Sequence, residues 1–540
     1  MCVSLPLVQR LGLLLLAVVS IVLAGCSSAE TVDQESFEFN SCSEAECSGK
    51  LESGAEFEIL MPESWTGTLV LFSPGIQMPE LGDKKNQGGL TPAAPDSNSS
   101  SAGASDGGPQ PAPGWGDKDA NTADVMLQAG YAIAGASTGR FGWNVRSQIV
   151  AAEELYKYFA DNIANPARVY VWGESTGGLA SARLAELHPE WVDGSSAICA
   201  PMSGPVPSFE LALDAGFAVR QLLVPNLQLV NFSTYEEALD SLKVGRKAVR
   251  KSADDGGAGQ AKILFIASLL GLPLKTSEQT GSTLDSQVSS AVIGIENLLE
   301  QSTAQRYLFE QLVGGNPSTN EGTDYEERIK EERRVQLEAV ATGSVRKNYQ
   351  ELKGPRVVAD EDATVAAAAQ GELVGDLKVP LLTLHNIFDP VYIVQSESWY
   401  RDRVGTFGPE IRANLVGAYS IPRNYYNADE PARTGAGHCN FEVRTVVGLL
   451  IQLDLWIRKG DYPGRDSAAR AFESQQVGLE YTPDPWPTMA ITPQDPPIEP
   501  DPDEVYTPPP ADDLGPSAVP SSQEKTPTSR SQGSSSPESD

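Results

Sequence analysis

The segment Arg168-Val169-Tyr170-Val171-Trp172-Gly173-Glu174-Ser175-Thr176-Gly177-Gly178-Leu179-Ala180 constrains this chain more than any other. Val169 to Trp172 is an apolar run of β-branched and aromatic residues, the signature of a buried strand. Leu179, Ala182, Leu184 and Leu187 then fall at helical spacing. Between strand and helix lies Gly173-Glu174-Ser175-Thr176-Gly177, where a side chain at either glycine would collide with the flanking elements. A sharp turn of this kind lifts the Ser175 hydroxyl clear of the sheet. The same spacing occurs at Gly103-Ala104-Ser105-Asp106-Gly107 and Gly135-Ala136-Ser137-Thr138-Gly139. The first sits in a Ser/Gly/Pro tract without apolar periodicity. The second follows a plausible strand but runs into Arg140-Phe141-Gly142-Trp143, which starts no helix. Ser175 alone has strand, turn and helix in order.

Strand patterns at Ala55–Leu60, Thr68–Phe72, Tyr131–Ala136 and Ser195–Ala200 surround this unit, the first two joined as a hairpin through Trp65-Thr66-Gly67. Helical patterns span Ala123–Ala129 and Val145–Ile163. Alternating apolar strands and helices predict an α/β fold, a mostly parallel sheet with helices on both faces. This first core part covers residues 55–203. Within it, residues 82–117 collapse into Gly, Pro, Ser, Asn and Ala, and are expected to be a disordered insert. Residues 204–375 read as a large helical cap, with helices over Phe209–Val224, Tyr235–Ser252, Ala261–Leu270, Leu284–Leu299 and Tyr325–Ala341. Sheet patterns return at Val379–Ile387 and Ala413–Ile421, followed by a helix over Phe441–Lys459, so residues 376–475 form a second core part. Residues 476–540 read as a disordered Pro/Ser-rich tail; positions 481–540 hold eleven acids against two bases.

The full chain carries 72 acidic against 40 basic residues. Without basic clusters to meet phosphates, nucleic-acid binding is not expected. At the N-terminus, Arg10 precedes the apolar run Leu11–Leu23, which is short for a membrane span. Residues 1–25 therefore read as a signal peptide, and residues 26–54 as a linker containing a small cysteine loop. With Cys2 removed and Cys26 treated separately, Cys42, Cys47, Cys199 and Cys439 remain, and four cysteines allow three pairings.

A serine hydroxyl attacks only when a base takes its proton and an anion orients that base. Three histidines are present. His188, in Leu187-His188-Pro189, reads as a helix-end residue, and His385 as a strand residue near the site. His438, after the small-residue loop Arg433-Thr434-Gly435-Ala436-Gly437, is the candidate base. Asp389, at the end of the strand preceding it, is the candidate acid, with Asp429 in reserve. An oxyanion is expected to meet the N–H of Thr176 and an N–H from Ser73-Pro74-Gly75-Ile76. Pro74 has no N–H, which leaves Gly75 or Ile76. No metal cluster, phosphate loop or dinucleotide fingerprint is present in the sequence, so no cofactor is expected.

The strand–GESTG–helix unit, with acid and histidine following in that order, resembles the α/β-hydrolase superfamily over about residues 55–470. Leu23-Ala24-Gly25-Cys26 resembles a bacterial lipobox, which implies lipid on Cys26 and tethering to the outer face of a membrane. Gly437-His438-Cys439 resembles half of the disulfide-braced site of tannases and fungal-type feruloyl esterases. In that family a cysteine precedes the serine, whereas Glu174 stands there in this chain. The resemblance therefore implies Cys199 as the substitute partner of Cys439, leaving Cys42 to pair with Cys47. The activity implied is a serine hydrolase acting on small extracellular esters. A serine aminopeptidase or prolyl-oligopeptidase-like peptidase, and a non-catalytic surface binding protein, are the alternatives. The sequence leaves the oligomeric state open.

Overall fold

The computed structural model describes residues 45–79, 122–137, 140–426, 435–463, 477–479 and 481–487. Its centre is a nine-stranded sheet built from β1 (Glu46–Lys50), β2 (Glu56–Leu60), β3 (Thr68–Ser73), β4 (Ala132–Ala136), β5 (Arg168–Glu174), β6 (Gly194–Ile198), β7 (Leu381–Asn386), β8 (Leu415–Ser420) and β9 (Val477–Gly478). The strand order is β1-β2-β4-β3-β5-β6-β7-β8-β9. Strands β4-β3-β5-β6-β7-β8 run parallel, β2 is antiparallel to β4, and β9 is antiparallel to β8.

The two-residue period of the strands sorts their side chains into two cores. Leu69, Leu71, Val169 and Val171 face one apolar cluster. Their neighbours Val70, Phe72, Tyr170 and Trp172 face the other. Helices α2 (Val145–Asn162) and α3 (Thr176–Leu187) contribute to the first cluster. Helices α1 (Thr122–Gln128) and α14 (Val443–Lys459) contribute to the second. Both faces of β3 and β5 are dry, which is why these strands read as unbroken apolar runs.

Between β6 and β7 the chain forms a helical cap: α4 (Pro205–Leu222), α5 (Tyr235–Asp254), α6 (Gly257–Leu269), α7 (Leu284–Glu300), α8 (Arg306–Val313), α9 (Glu331–Val340), α10 (Ser344–Glu351) and α11 (Glu361–Ala368). The cap has an apolar cluster of its own, drawn from α4 to α7 and their neighbours. Thr234 accepts the Glu237 N–H at 3.2 Å to start α5, and Thr283 accepts the Ser286 N–H at 3.2 Å to start α7. A π-helical stretch, Gln301–Gln305, joins α7 to α8. The cap meets the core over the loop after β7, where the Asn297 amide donates to the Pro390 carbonyl at 3.0 Å. After β7 come α12 (Gln395–Thr406) and α13 (Pro409–Arg412). This strand order, with the cap after β6, is the α/β-hydrolase fold.

Several expectations are corrected. The hairpin predicted through Trp65-Thr66-Gly67 does not form, because β4 lies between β2 and β3. The observed hairpin is β1–β2, closed where the Leu51 N–H meets the Ala55 carbonyl at 2.8 Å. β1 falls within the predicted linker 26–54; one buried residue, Cys47, in five leaves no alternation to read. The predicted helix Tyr325–Ala341 is a 3₁₀ turn, Tyr325–Arg328, and then α9, broken where Ile329 and Lys330 adopt extended backbone. The predicted tail 476–540 is also too inclusive. β9 extends the sheet, Ser398 Oγ donates to the Asp484 carbonyl at 2.7 Å, and Trp486 packs against Trp399 and the cap cluster. The insert 82–117 lies outside the described residues.

Candidate active site

Ser175 follows β5 directly, with φ 56° and ψ −127°. Left-handed φ at a non-glycine residue is strained, costing about 1–3 kcal/mol, and persists only where the surroundings enforce it. Here the Ser175 N–H donates to the Ile198 carbonyl at 2.9 Å, and its own carbonyl accepts from Gly178 N at 3.0 Å as α3 begins. The flanking glycines leave room for this bend. A Cβ on Gly177 would lie 2.0 Å from the Ser73 carbonyl oxygen, and one on Gly173 would lie 2.5 Å from it. No other residue type fits either position.

His438 arrives on the loop before α14. Gly437 takes φ +80° there, with a Cβ position that would meet the Tyr426 ring at 2.4 Å, so glycine is required. Two ties fix the loop. Asn386, at the end of β7, donates to the Gly437 carbonyl at 2.8 Å. Cys439 is disulfide-bonded to Cys199, Cα to Cα 5.4 Å. Cys199 follows β6, so this bond joins the histidine loop to the strand beside β5. The pairing implied by the resemblance is the pairing observed.

These elements bring Ser175, His438 and Asp389 together. The Ser175 hydroxyl and His438 Nε2 are 3.0 Å apart, and His438 Nδ1 lies 2.8 Å from Asp389 Oδ2. The carboxylate fixes the tautomer: Nδ1 carries the proton, and Nε2 accepts from the serine. Asp389 is fully buried. Its Oδ1 accepts the N–H groups of Val391 at 2.8 Å and Tyr392 at 3.1 Å, which hold the carboxylate in one orientation. The Tyr392 ring packs edge-on to the His438 imidazole, 5.3 Å between centroids, and Trp143 covers Tyr392 in turn at 6.2 Å. Trp143 also meets Phe209 of α4 and Phe309 of α8, so the cap closes an aromatic roof near the site.

The other candidates fall as follows. Thr176 is the first residue of α3. Gly75 faces the serine, since a Cβ on it would stand 3.3 Å from Ser175 Cβ; Ile76 follows it, half-buried. Glu174 makes the last pairing of β5 with β6, and burial pushes its carboxyl up to about 7. His188 ends α3 between Glu153 at 2.7 Å and Glu190 at 3.0 Å. His385 is buried beside the site, with Glu397 at 3.2 Å and the Tyr392 carbonyl at 2.8 Å as partners. Cys47 is disulfide-bonded, while Cys42, Asp429 and Cys26 lie outside the described residues. Cys199, His438 and Cys439 together have the composition of a metal site, but the two sulfurs are joined and offer no thiolate. The sequence reading missed Asn386, Tyr392 and Trp143. Asn386 had one legible signal, a polar residue ending an apolar strand.

No family model matches the sequence, and no curated protein matches it. Among solved structures, it is similar to feruloyl esterase B from Aspergillus oryzae at 16% identity and TM-score 0.37, covering 76% of this chain and 80% of that one. A second esterase from Aspergillus oryzae aligns at 13% identity and TM-score 0.34, covering 76% and 78%. A proline iminopeptidase from Mycobacterium smegmatis aligns at 12% identity and TM-score 0.32, covering 76% and 99%. At these values, what identifies the α/β-hydrolase fold in this chain is its strand order and the strand–turn–helix at Ser175.

Proposed function

We propose that this protein is a serine hydrolase that cleaves carboxylic esters through an acyl-enzyme. The observation that carries the reading is the unbroken chain from the strained Ser175 through His438 to Asp389. Ser175 Oγ attacks the ester carbonyl as its proton passes to His438 Nε2, and Asp389 stabilises the imidazolium that results. The tetrahedral oxyanion is met by the N–H of Thr176, at the positive end of α3, and by that of Gly75 or Ile76. Collapse breaks the bond to the alcohol oxygen, which takes the proton from His438. Water, deprotonated by the same imidazole, then releases the acid and restores the serine.

The test is labelling with a fluorophosphonate, together with turnover of nitrophenyl esters beside aminoacyl anilides. Ester turnover and a label lost in Ser175→Ala support the reading. Preference for anilides moves it to a peptidase. A folded wild type that neither labels nor turns over makes the protein a binding scaffold. The proposal also carries a lipid on Cys26 and an extracytoplasmic position on a membrane surface. Among the described residues no helix is long and apolar enough to cross a membrane. Metabolic labelling with a fatty acid, lost in Cys26→Ala, tests the anchor.

A further inference from the structure

Gln148 stands in the first turns of α2, on the face turned toward the loop after β3. It is buried, 3% exposed, and its Nε2 donates to the Pro74 carbonyl at 2.8 Å. Only the NH₂ end of an amide can face a carbonyl, so its orientation is fixed. Its Oε1 is buried with no partner. A buried acceptor left unmade costs about 1–3 kcal/mol, so a helix position that served packing alone would favour a leucine. The one hydrogen bond this amide makes is the one to Pro74.

That bond governs one peptide unit. The Pro74 carbonyl and the Gly75 N–H share a plane and point to opposite sides of it. The carbonyl lies against Gly177, close enough that a Cβ there would stand 2.4 Å from it, while Gly75 itself faces Ser175. Rotation of this unit by half a turn would exchange the two groups and aim an oxygen where the N–H now points. Such a flip needs a positive φ at residue 75, which glycine adopts readily. Gly75 does not adopt one here.

We propose that Gln148 is a positioning residue for the oxyanion site: it grips the Pro74 carbonyl and so keeps the Gly75 N–H turned toward Ser175. This rests on the serine hydrolase reading above. It touches no reacting atom and acts through one peptide plane.

The test compares Gln148→Leu, which keeps the volume, with Gln148→Glu. With an ester substrate, Q148L is expected to lower kcat about tenfold to a hundredfold with KM changed less than about threefold, below the loss from deleting an oxyanion donor outright. Affinity for a phenylboronic acid, whose adduct is tetrahedral, falls by the same factor as kcat/KM. Q148E donates to Pro74 only while protonated, so its activity relative to wild type declines as pH rises. Crystal structures of wild type and Q148L report the Pro74–Gly75 peptide directly, with rotation or disorder of that unit expected in the variant. A folded Q148L with wild-type kcat, a loss confined to KM, or an unmoved peptide overturns the proposal. If wild type neither labels with fluorophosphonate nor turns over esters, the hydrolase reading falls. The peptide orientation in the two crystals then decides alone whether Gln148 holds it.

Discussion

The rim of the sheet and the helical cap bury polar groups by opposite rules. At the rim the groups form a line: Ser175, His438, Asp389, and then two backbone N–H groups, with His385 Nε2 standing to one side 3.6 Å from Asp389 Oδ2. In the cap they form a cluster. Arg306 is fully buried, giving Nη1 to Asn316 and Ser318 and Nη2 to the Phe209 carbonyl, while Arg328 meets Asp214 at 2.8 Å. Glu210 Oε1 and Arg306 Nε have no hydrogen-bond partner. A line transmits direction, which proton transfer needs. A cluster supplies mutual compensation among charges, which holds helices in one arrangement. Changes at the rim should therefore alter rate without altering stability, and changes in the cap the reverse.

The strongest break is Ser175→Ala, expected to lower kcat by about 10⁴–10⁶-fold with an unchanged circular dichroism spectrum. Asp389→Asn is expected to cost about 10⁴-fold, because the neutral amide no longer fixes the tautomer. In the cap, Arg306→Met removes the guanidinium 3.9 Å from the buried Glu310 carboxylate and is expected to cost about 3–5 kcal/mol, read in urea unfolding, with ester turnover retained under native conditions. Smaller is the loss of the Cys199–Cys439 bond. Cys439→Ser is expected to lower kcat about tenfold through a looser His438 loop, and a reductant should reproduce this in wild type and leave the variant unmoved.

The smallest effect is a dependence on pH where α4 meets the core. Glu372 is buried there, and desolvation holds its carboxyl up at about 8, against 4.5 when unfolded. The folded state then keeps a proton that the unfolded chain has released. Its contribution is intact below the unfolded value and is lost as pH rises through about 8. Glu372→Gln should raise the melting temperature most at pH 9 and little at pH 4. A constant difference across that range would break the assignment.

Legibility in the sequence followed the same division. β3, β5 and β7, buried on both faces, were read within a residue or two of their ends, because burial writes an unbroken apolar run. Ser175, Asp389 and His438 were legible because each stands near an element boundary with glycine or proline within two residues. Gln148 was not, since nothing in a helix sequence reveals what a lone amide touches across the fold. β1 and α12 were missed because their buried positions are few or mostly polar: Cys47 alone in the strand, and Ser396, Glu397 and Ser398 beside Tyr400 and Val404 in the helix. The cysteine pairing came only from likeness to a family, because spacing alone leaves three choices.

The short run from Val477 to Pro487 crosses a seam. It begins as a sheet edge beside β8 and ends with Asp484 against Lys330 at 3.3 Å and Trp486 against cap residues. Anyone trimming the low-complexity C-terminus for crystals or assays would, reading composition alone, cut at residue 476. That cut removes a stitch from the last sheet edge to the lid, and a boundary beyond Pro487 leaves it sewn.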